Sequence, residues 1–158
     1  MCEGPIGKCR YNGYGNFILQ KKALPVKRNF ALLAAGTGIT PGYCMALASS
    51  LLKDGMKITL LFSNKTKEDI LCEKEINELK DINPENYQLW NTLTRHDDAK
   101  HGEWDGLRGR VSLQMMQQCK FPPPAEDTFI FICGPKGFKQ TVYQALEEGG
   151  YDKSMYNT

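Results

Sequence analysis

The sequence predicts an α/β fold in which helices cover both faces of a parallel sheet, and three observations predict it. Apolar runs of strand length alternate with segments of helical periodicity from residue 30 onward, which is the pattern of βαβ units. These runs are apolar nearly throughout, as in strands that are buried on both faces. The first run enters a glycine turn that leads straight into a helical segment.

The first 29 residues differ from the rest of the chain. Residues 1–20 contain glycine and proline residues at turn positions typical of β-structure, with a hairpin signal at Asn12-Gly13 that is flanked by aromatic residues. Two short strands do not form a stable domain, so this segment is interpreted as the tail of something larger or as a strap on the main body. Residues 21–29 are polar and basic around Pro25, which fits a linker.

One stretch organises the chain. An apolar run at 30–35 enters Gly36-Thr37-Gly38, and an amphipathic segment follows at 42–52. Thr40 is a candidate N-cap and Pro41 suits the first helical position, so the free N–H groups of the helix are expected to face the turn. Strand, glycine turn and helix in this order are typical of a site for a nucleotide phosphate. The alternative is a buried strand joined to a helix by a flexible loop.

Further strands and helices are predicted downstream. The strands are 56–63, 87–93 and 127–133, and the helices are 66–80, 111–119 and 138–148, the last ended by Gly149-Gly150. A long polar loop is predicted at 94–110. Ligands of such sheets bind beyond the carboxyl ends of the strands. We therefore expect Gly36-Thr37-Gly38 and Cys133-Gly134-Pro135 to form two walls of one site.

Composition excludes several classes of function. The chain has 158 residues, 41% of them hydrophobic, which suits one globular domain with a sizeable core. The formal net charge of +2 is too close to balance to indicate nucleic acid or a membrane surface as a partner. No apolar run approaches the roughly 20 residues of a membrane span, and no signal peptide is visible. A phosphate-transferring enzyme is excluded because no Lys-Ser/Thr pair follows the glycine turn.

The six cysteines do not indicate a metal site. They include no C-x-x-C pair, and only His96 and His101 could add imidazole ligands. A chain of this length with a real core does not need disulfides, so we expect reduced thiols in an intracellular compartment.

Four motifs occur in an order that resembles one family. They are the stretch from Gly4-Pro5-Ile6-Gly7 through residues 11–17, the stretch 35–41, the stretch 62–71, and Cys133-Gly134-Pro135. Together they closely resemble NADH–cytochrome b5 reductases, the matching domain of nitrate reductases and the wider ferredoxin-reductase-like flavoenzymes, over nearly the whole chain. The resemblance implies a five-stranded parallel sheet with helices on both faces. It makes residues 1–20 the tail of an FAD-binding β-barrel, 21–29 a linker and 30–158 an NAD(H)-binding domain.

The resemblance implies an oxidoreductase domain. It would bind NADH, pass the hydride to FAD and send electrons on to cytochrome b5 or a similar haem protein. The flavin-binding signature R-x-Y-[ST] is absent from the sequence. FAD is therefore expected to be bound mainly by a preceding domain absent from this chain, and the isolated domain to be inactive without it.

The resemblance also implies a location and leaves two alternatives open. The protein is expected in the cytoplasm or at the cytosolic face of an internal membrane, with any membrane attachment through a segment outside this chain. One alternative is a non-catalytic pyridine-nucleotide-binding regulatory module. The other is an NADPH-preferring reductase domain.

Carried over residue by residue, the resemblance assigns roles to the two turns. Thr37 and its flanking glycines would lie against the pyrophosphate and the nicotinamide side of the cofactor, and Cys133 would lie where hydride passes to the flavin. Cys133 and Thr37 are the catalytic candidates, and they act by placement because hydride transfer belongs to the cofactors. The alternative for Cys133 is a small apolar residue that closes a strand. The expected cofactor-binding residues are Ala35, Gly36, Thr37, Gly38, Thr40, Lys65, Thr94, Gly134 and Pro135.

Several positions depart from the family pattern. Ala35 replaces a glycine, Thr94 replaces an aspartate, and Lys136-Gly137-Phe138 stand where prolines and a methionine are common. Lys65 stands where the reductases have glutamine, and no acidic residue lies between the second strand and Glu68. A basic residue there would tolerate the 2′-phosphate of NADPH, or Lys65 would simply be solvated. We expect NADH on the strength of the resemblance.

Overall fold

The computed structural model describes residues 2–3 and 9–157, and side chains from residue 9 to residue 156. The Gly4-Pro5-Ile6-Gly7 motif lies outside the described residues. The chain begins with a small antiparallel sheet of four strands in sequence order. These are β1 (Cys2–Glu3), β2 (Cys9–Tyr11), β3 (Phe17–Leu19) and β4 (Lys22–Ala23).

The larger sheet is parallel throughout. Its strands are β5 (Asn29–Ala35), β6 (Lys57–Asn64), β7 (Tyr87–Leu93), β8 (Leu107–Arg108), β9 (Thr128–Cys133) and β10 (Tyr156–Asn157). The spatial order is β10-β9-β5-β6-β7-β8, so β5 is central and the strand order reverses between β5 and β9. In an open sheet of this kind, the crevice at the reversal is the usual ligand site.

Helices cover both faces of the parallel sheet. They are α1 (Ile39–Leu52), α2 (Glu73–Ile82), α3 (Asp98–His101), α4 (Leu113–Gln118) and α5 (Lys136–Glu148). The helices α1 and α2 pack on one face and α4 and α5 on the other. Among the described residues, no helix has both the length and the apolar character needed to cross a membrane.

Alternation along the central strands produces the two cores. Leu32 and Leu60 belong to the core beneath α1 and α2, whereas their neighbours Leu33 and Leu61 belong to the core beneath α4 and α5. All four side chains are at most 1% exposed. The predicted α/β class with helices on both faces is confirmed. Within residues 9–157 the sheet has six strands rather than the expected five, namely four long strands and the two-residue strands β8 and β10 at its edges.

An aromatic cluster joins the antiparallel segment to the parallel sheet. The ring centroid of Phe17 lies 4.8 Å from that of Tyr11, 5.1 Å from that of Phe30 and 4.6 Å from that of Phe129. Phe30 and Phe129 belong to neighbouring strands of the parallel sheet. The β2–β3 hairpin, which turns at the predicted Asn12-Gly13 signal, therefore shares the core of the main body.

The carboxylate of Asp54 fastens the same hairpin to the end of α1. It accepts hydrogen bonds from the Tyr11 hydroxyl, the Tyr14 N–H (3.0 Å), the Ser49 hydroxyl (2.7 Å) and the Met56 N–H (3.1 Å). These donors come from the hairpin, from α1 and from the approach to β6. One side chain thus joins the hairpin, which is distant in sequence, to the end of α1 and the start of β6.

Several element boundaries differ from the prediction. The predicted linker at 21–29 contains β4 and reaches into β5. The predicted helix at 66–80 is wrong in its first part: a 3₁₀ turn at Lys67–Asp69 is followed by a break, and α2 begins only at Glu73. The break begins at Ile70, which is extended, and Cys72 then has a left-handed φ of +53°, through which a right-handed helix cannot continue. The predicted loop at 94–110 contains α3 and β8.

Candidate functional site

A cleft of about 560 Å³ lies at the carboxyl ends of β5, β6 and β7 and beside the start of α5. This volume is within the range of about 300–1,000 Å³ that is typical of small-molecule and cofactor sites. Six of the predicted site residues line it: Ala35, Gly36, Thr37, Lys65, Thr94 and Pro135. The two predicted walls, after β5 and after β9, therefore meet at one cleft.

The glycine turn forms the wall after β5. Gly36–Gly38 is a 3₁₀ turn that continues directly into α1, and Gly36 has a left-handed φ of +54°. No side chain caps either the turn or the helix. The first N–H groups of a helix have no intrahelical partner, and the 14-residue α1 directs its positive dipole end to this point. The turn can therefore bind oxygens of an anionic ligand.

Thr40 is not the N-cap that we expected. Helix α1 begins at Ile39, two residues before the expected first position at Pro41, because the 3₁₀ turn continues into it without an extended residue between them. The Thr40 hydroxyl instead donates to the Thr37 carbonyl oxygen at 3.3 Å. Thr40 is exposed and does not line the cleft. Thr37, which is also exposed, does line it.

Gly38 and the turn after β9 pack against each other behind the cleft. A Cβ atom on Gly38 would lie 2.3 Å from the Cys133 carbonyl oxygen, and one on Gly134 would lie 2.6 Å from a ring carbon of Phe138. Both positions therefore need glycine for close approach rather than for an unusual φ. Neither glycine lines the cleft, and neither does Cys133. Together they fix the spacing between its two walls.

The thiol of Cys133 is half-buried at the end of β9. Burial raises its pKa, and the nearby Lys139 only partly opposes that shift. The thiol is therefore protonated at neutral pH and lacks the thiolate character of a nucleophile. The side chain packs against the core beneath α1, which agrees with the small apolar interpretation of this residue.

Residues that follow β6 place both positively and negatively charged side chains at the cleft. Lys65 follows the strand directly, and Glu68 and Asp69 lie in the next turn. One Asp69 oxygen accepts hydrogen bonds from both the N–H and the hydroxyl of Thr66, each at 3.0 Å. Hydrogen bonds from its own backbone and from Thr66 lower the pKa of Glu68, so this carboxylate is ionised at neutral pH.

Asn64, the last residue of β6, lines the cleft and is only 6% exposed. Its amide nitrogen is buried and has no hydrogen-bond partner among the described residues. Buried polar groups are nearly always paired, so an acceptor atom of a ligand or a water would complete this group. An orphaned donor beside an uncapped glycine turn fits a polar, anionic ligand such as a dinucleotide.

Ten residues that line the cleft were not predicted from the sequence. They are Ser63, Asn64, Glu68, Asp69, Leu71, Arg110, Val111, Gly137, Phe138 and Thr141. Ser63 and Asn64 could have been identified, because Ser63 ends the strand predicted at 56–63 and Asn64 directly follows it. Arg110 could not, because its position depends on the pairing of the two-residue strand β8 with β7.

Comparison with known proteins agrees with this geometry. Residues 32–144 match the model of the oxidoreductase NAD-binding domain family. NADH-cytochrome b5 reductase 2 of Rattus norvegicus is 34% identical to the chain over 167 residues, which cover 100% of the chain and 58% of the reductase. NADH-cytochrome b5 reductase 1 of Bos taurus is 37% identical over 97% of the chain and 51% of its own length. The chain thus spans little more than half the length of these relatives.

A solved structure shares both the fold and the sequence pattern. The cytochrome b5 reductase domain of Ulva prolifera nitrate reductase superimposes with a TM-score of 0.86 at 27% identity, covering 97% of this chain and 57% of that one. These matches confirm the family that the four motifs predicted. The chain belongs to the oxidoreductase NAD-binding domain family, as the NAD-binding domain of the NADH–cytochrome b5 reductase type.

Proposed function

We propose that this chain is the NADH-binding half of a flavoprotein reductase that passes hydride from NADH to FAD and electrons on to cytochrome b5 or a similar haem protein. The observation that carries the proposal is the cleft at the carboxyl ends of the strands, closed by an uncapped glycine turn at the start of α1. The names of the relatives support the choice of NADH and of the acceptor.

In this proposal, residues of the two turns hold the cofactor by placement. The N–H groups of Gly36–Gly38 bind the pyrophosphate oxygens, and Thr37 lies against the nicotinamide side. Ala35 and Pro135 form apolar walls on either side of the turn. The partly buried ring of Phe138 narrows the access of water. When bound, NADH supplies the hydride chemistry.

Cys133 acts as a positioning residue. Its carbonyl oxygen packs against Gly38, and its protonated thiol keeps the end of β9 uncharged beside the proposed nicotinamide position. A neutral thiol there does not attract the water that a thiolate would hold. Removal of the thiol alone should therefore change the rate of hydride transfer more than the affinity for NADH.

We further propose that the antiparallel segment of residues 9–23 is the end of a flavin-binding barrel, and that FAD is bound mainly by the rest of that barrel. The four-stranded antiparallel sheet at the start of the chain supports this assignment. We also propose that the protein lies on the cytosolic side of the cell, which the free thiols of Cys9, Cys72, Cys119 and Cys133 support.

Calorimetric titration of the chain with NADH tests the cofactor site. We expect Gly36→Phe to weaken NADH binding at least about tenfold, because residue 36 lines the cleft and its side chain would enter open space. Gly55→Phe is the matched control. Gly55 also has a positive φ (+75°) and open space around its Cβ, but it does not line the cleft. Equal loss of affinity in both variants would contradict the proposed site.

Reconstitution with the flavin-binding half of a related reductase tests turnover. A reductase domain should restore NADH-dependent reduction of ferricyanide, and the Gly36→Phe variant should not. NADH binding without any restored reduction would instead favour the non-catalytic regulatory module.

A further inference from the structure

Two cations line the cleft without a carboxylate partner. They are Lys65 and Arg110; both are exposed, and neither forms a salt bridge or a side-chain hydrogen bond within residues 9–156. Arg108, two residues before Arg110, behaves differently. Its guanidinium donates to both oxygens of the Asp98 carboxylate, at 2.8 and 2.9 Å, and to the Trp104 carbonyl oxygen. The charge of Arg108 is thus neutralised, whereas that of Arg110 remains available at the cleft.

The backbone places the two cations at the same edge of the sheet. Lys65 directly follows β6, and its carbonyl oxygen accepts a hydrogen bond from the Arg95 N–H at 2.9 Å. Arg110 follows Gly109, whose N–H donates to the Leu93 carbonyl oxygen at 2.9 Å at the end of β7. The strands β6 and β7 are hydrogen-bonded neighbours. Lys65 therefore follows the end of β6, Arg110 lies beyond β8 and next to the end of the intervening β7, and both side chains border one cleft.

The acidic residues of the cleft do not neutralise these cations. Asp69 directs one oxygen to the N–H and the hydroxyl of Thr66, and this hydrogen bonding occupies it within its own turn. Glu68 lies three residues beyond the position that directly follows β6. In sites specific for NADH, an acid at the end of the second strand bonds the ribose hydroxyls and repels a 2′-phosphate. Here a lysine occupies the first position after the strand.

We propose that Lys65 and Arg110 form a subsite for the 2′-phosphate of NADPH, so that the chain accepts NADPH as well as NADH. The proposal rests on the function proposed above, because it needs a nucleotide in the same cleft. A 2′-phosphate is dianionic near neutral pH and offers several acceptor oxygens. A lysine supplies a point charge and an arginine a planar fork, which together suit a phosphate approached from two strand ends.

The test compares two nucleotides that differ only in the phosphate. The probes are 5′-ADP and 2′,5′-ADP, titrated calorimetrically into the 158-residue chain, with NADH as a third ligand. We expect 2′,5′-ADP to bind more tightly than 5′-ADP. Lys65→Gln and Arg110→Gln should each weaken the binding of 2′,5′-ADP by about tenfold, and the binding of 5′-ADP by less than about twofold. The selective loss is the signature of a charge-assisted phosphate contact.

Lys67→Gln is the matched control. Lys67 is also an exposed lysine in the same segment, but it does not line the cleft, and its replacement should leave both affinities unchanged. Thermal melting of each variant verifies that the exposed substitutions leave the fold intact. A loss of equal size for both probes, or a loss in Lys67→Gln that matches the loss in Lys65→Gln, overturns the subsite.

The outcomes separate this inference from the proposed function. If NADH and 5′-ADP bind but 2′,5′-ADP binds no better than 5′-ADP, the phosphate subsite is wrong and the NADH site stands. If none of the three ligands binds, the proposed function fails and the subsite fails with it. Selective weakening of 2′,5′-ADP in both cleft variants supports NADPH as a second donor.

Discussion

The contact between the glycine turn and the end of β9 makes Gly38 sensitive to any added atom. A Cβ on Gly38 would lie 2.3 Å from the Cys133 carbonyl oxygen, 2.5 Å from its carbon and 2.9 Å from the Gly134 nitrogen. Because all three neighbours are backbone atoms, none can swing aside as the end of a flexible side chain would. We expect Gly38→Ala to lower the free energy of unfolding by about 2–3 kcal/mol, the upper part of the range for overpacked cores.

Urea denaturation followed by circular dichroism measures this change. For a chain of this size, a loss of about 2–3 kcal/mol corresponds to a fall in Tm of about 4–12 °C. NADH affinity should fall as well, because the alanine pushes apart the two turns that border the cleft. The two readouts should therefore change together in this variant.

Gly36→Ala is the control for the size argument. No heavy atom lies within 4 Å of its Cβ, so only the left-handed φ of +54° opposes the substitution, at a net cost of about 1 kcal/mol. A Gly38→Ala protein that is as stable as Gly36→Ala would refute the reasoning, since it would mean that the turn after β9 yields without cost.

Three further predictions concern the hairpin and the buried thiols. Asp54→Ala removes the acceptor of four hydrogen bonds, including the one from the Tyr11 hydroxyl. The free energy of unfolding, measured by urea denaturation, should therefore fall by about 2–3 kcal/mol. A loss below about 0.5 kcal/mol would show that this carboxylate does not hold the hairpin. Burial raises the pKa of Cys9 and that of Cys119 from 9.0 to about 11, so between these values the unfolded chain binds fewer protons than the folded one. The free energy of unfolding should therefore fall as the pH rises through this window, and the double alanine variant should show a shallower slope. Burial also raises the pKa of Cys133, so alkylation of that thiol by iodoacetamide at neutral pH should be slow. NADH should slow this alkylation further. Equal alkylation rates with and without NADH would mean that the cofactor lies away from this turn.

Local sequence signals were sufficient to predict the glycine turn that organises the site. Gly36 needs a left-handed φ and Gly38 lies against another backbone, and both demands appear in the sequence as glycines between an apolar run and a helical segment. The central strands were predicted for a similar reason, because burial on both faces leaves an uninterrupted apolar run. Local chemistry and the global fold agree at these positions.

The features that were not predicted depend on backbone conformation and on contacts between segments, which local sequence patterns do not reveal. The break before α2 depends on the left-handed conformation of Cys72, a residue type with no preference for it. Arg110 enters the cleft because a two-residue strand pairs with β7, and a strand of that length has no periodicity to detect. The start of α1 was misplaced by two residues, because the 3₁₀ turn before it replaces the expected cap at Thr40.

The aromatic cluster around Phe17 has a consequence for how the chain can be divided. Phe17, Phe30 and Phe129 are each at most 1% exposed, yet they come from the hairpin, from the central strand and from the strand beside it. A truncated chain that begins anywhere in the predicted linker at 21–29 lacks Phe17. Phe30 and Phe129 of the parallel sheet would then be exposed to water. Residues 9–23 therefore unfold together with the nucleotide-binding body as one cooperative unit, and a fragment that starts at residue 29 should aggregate rather than behave as a minimal domain.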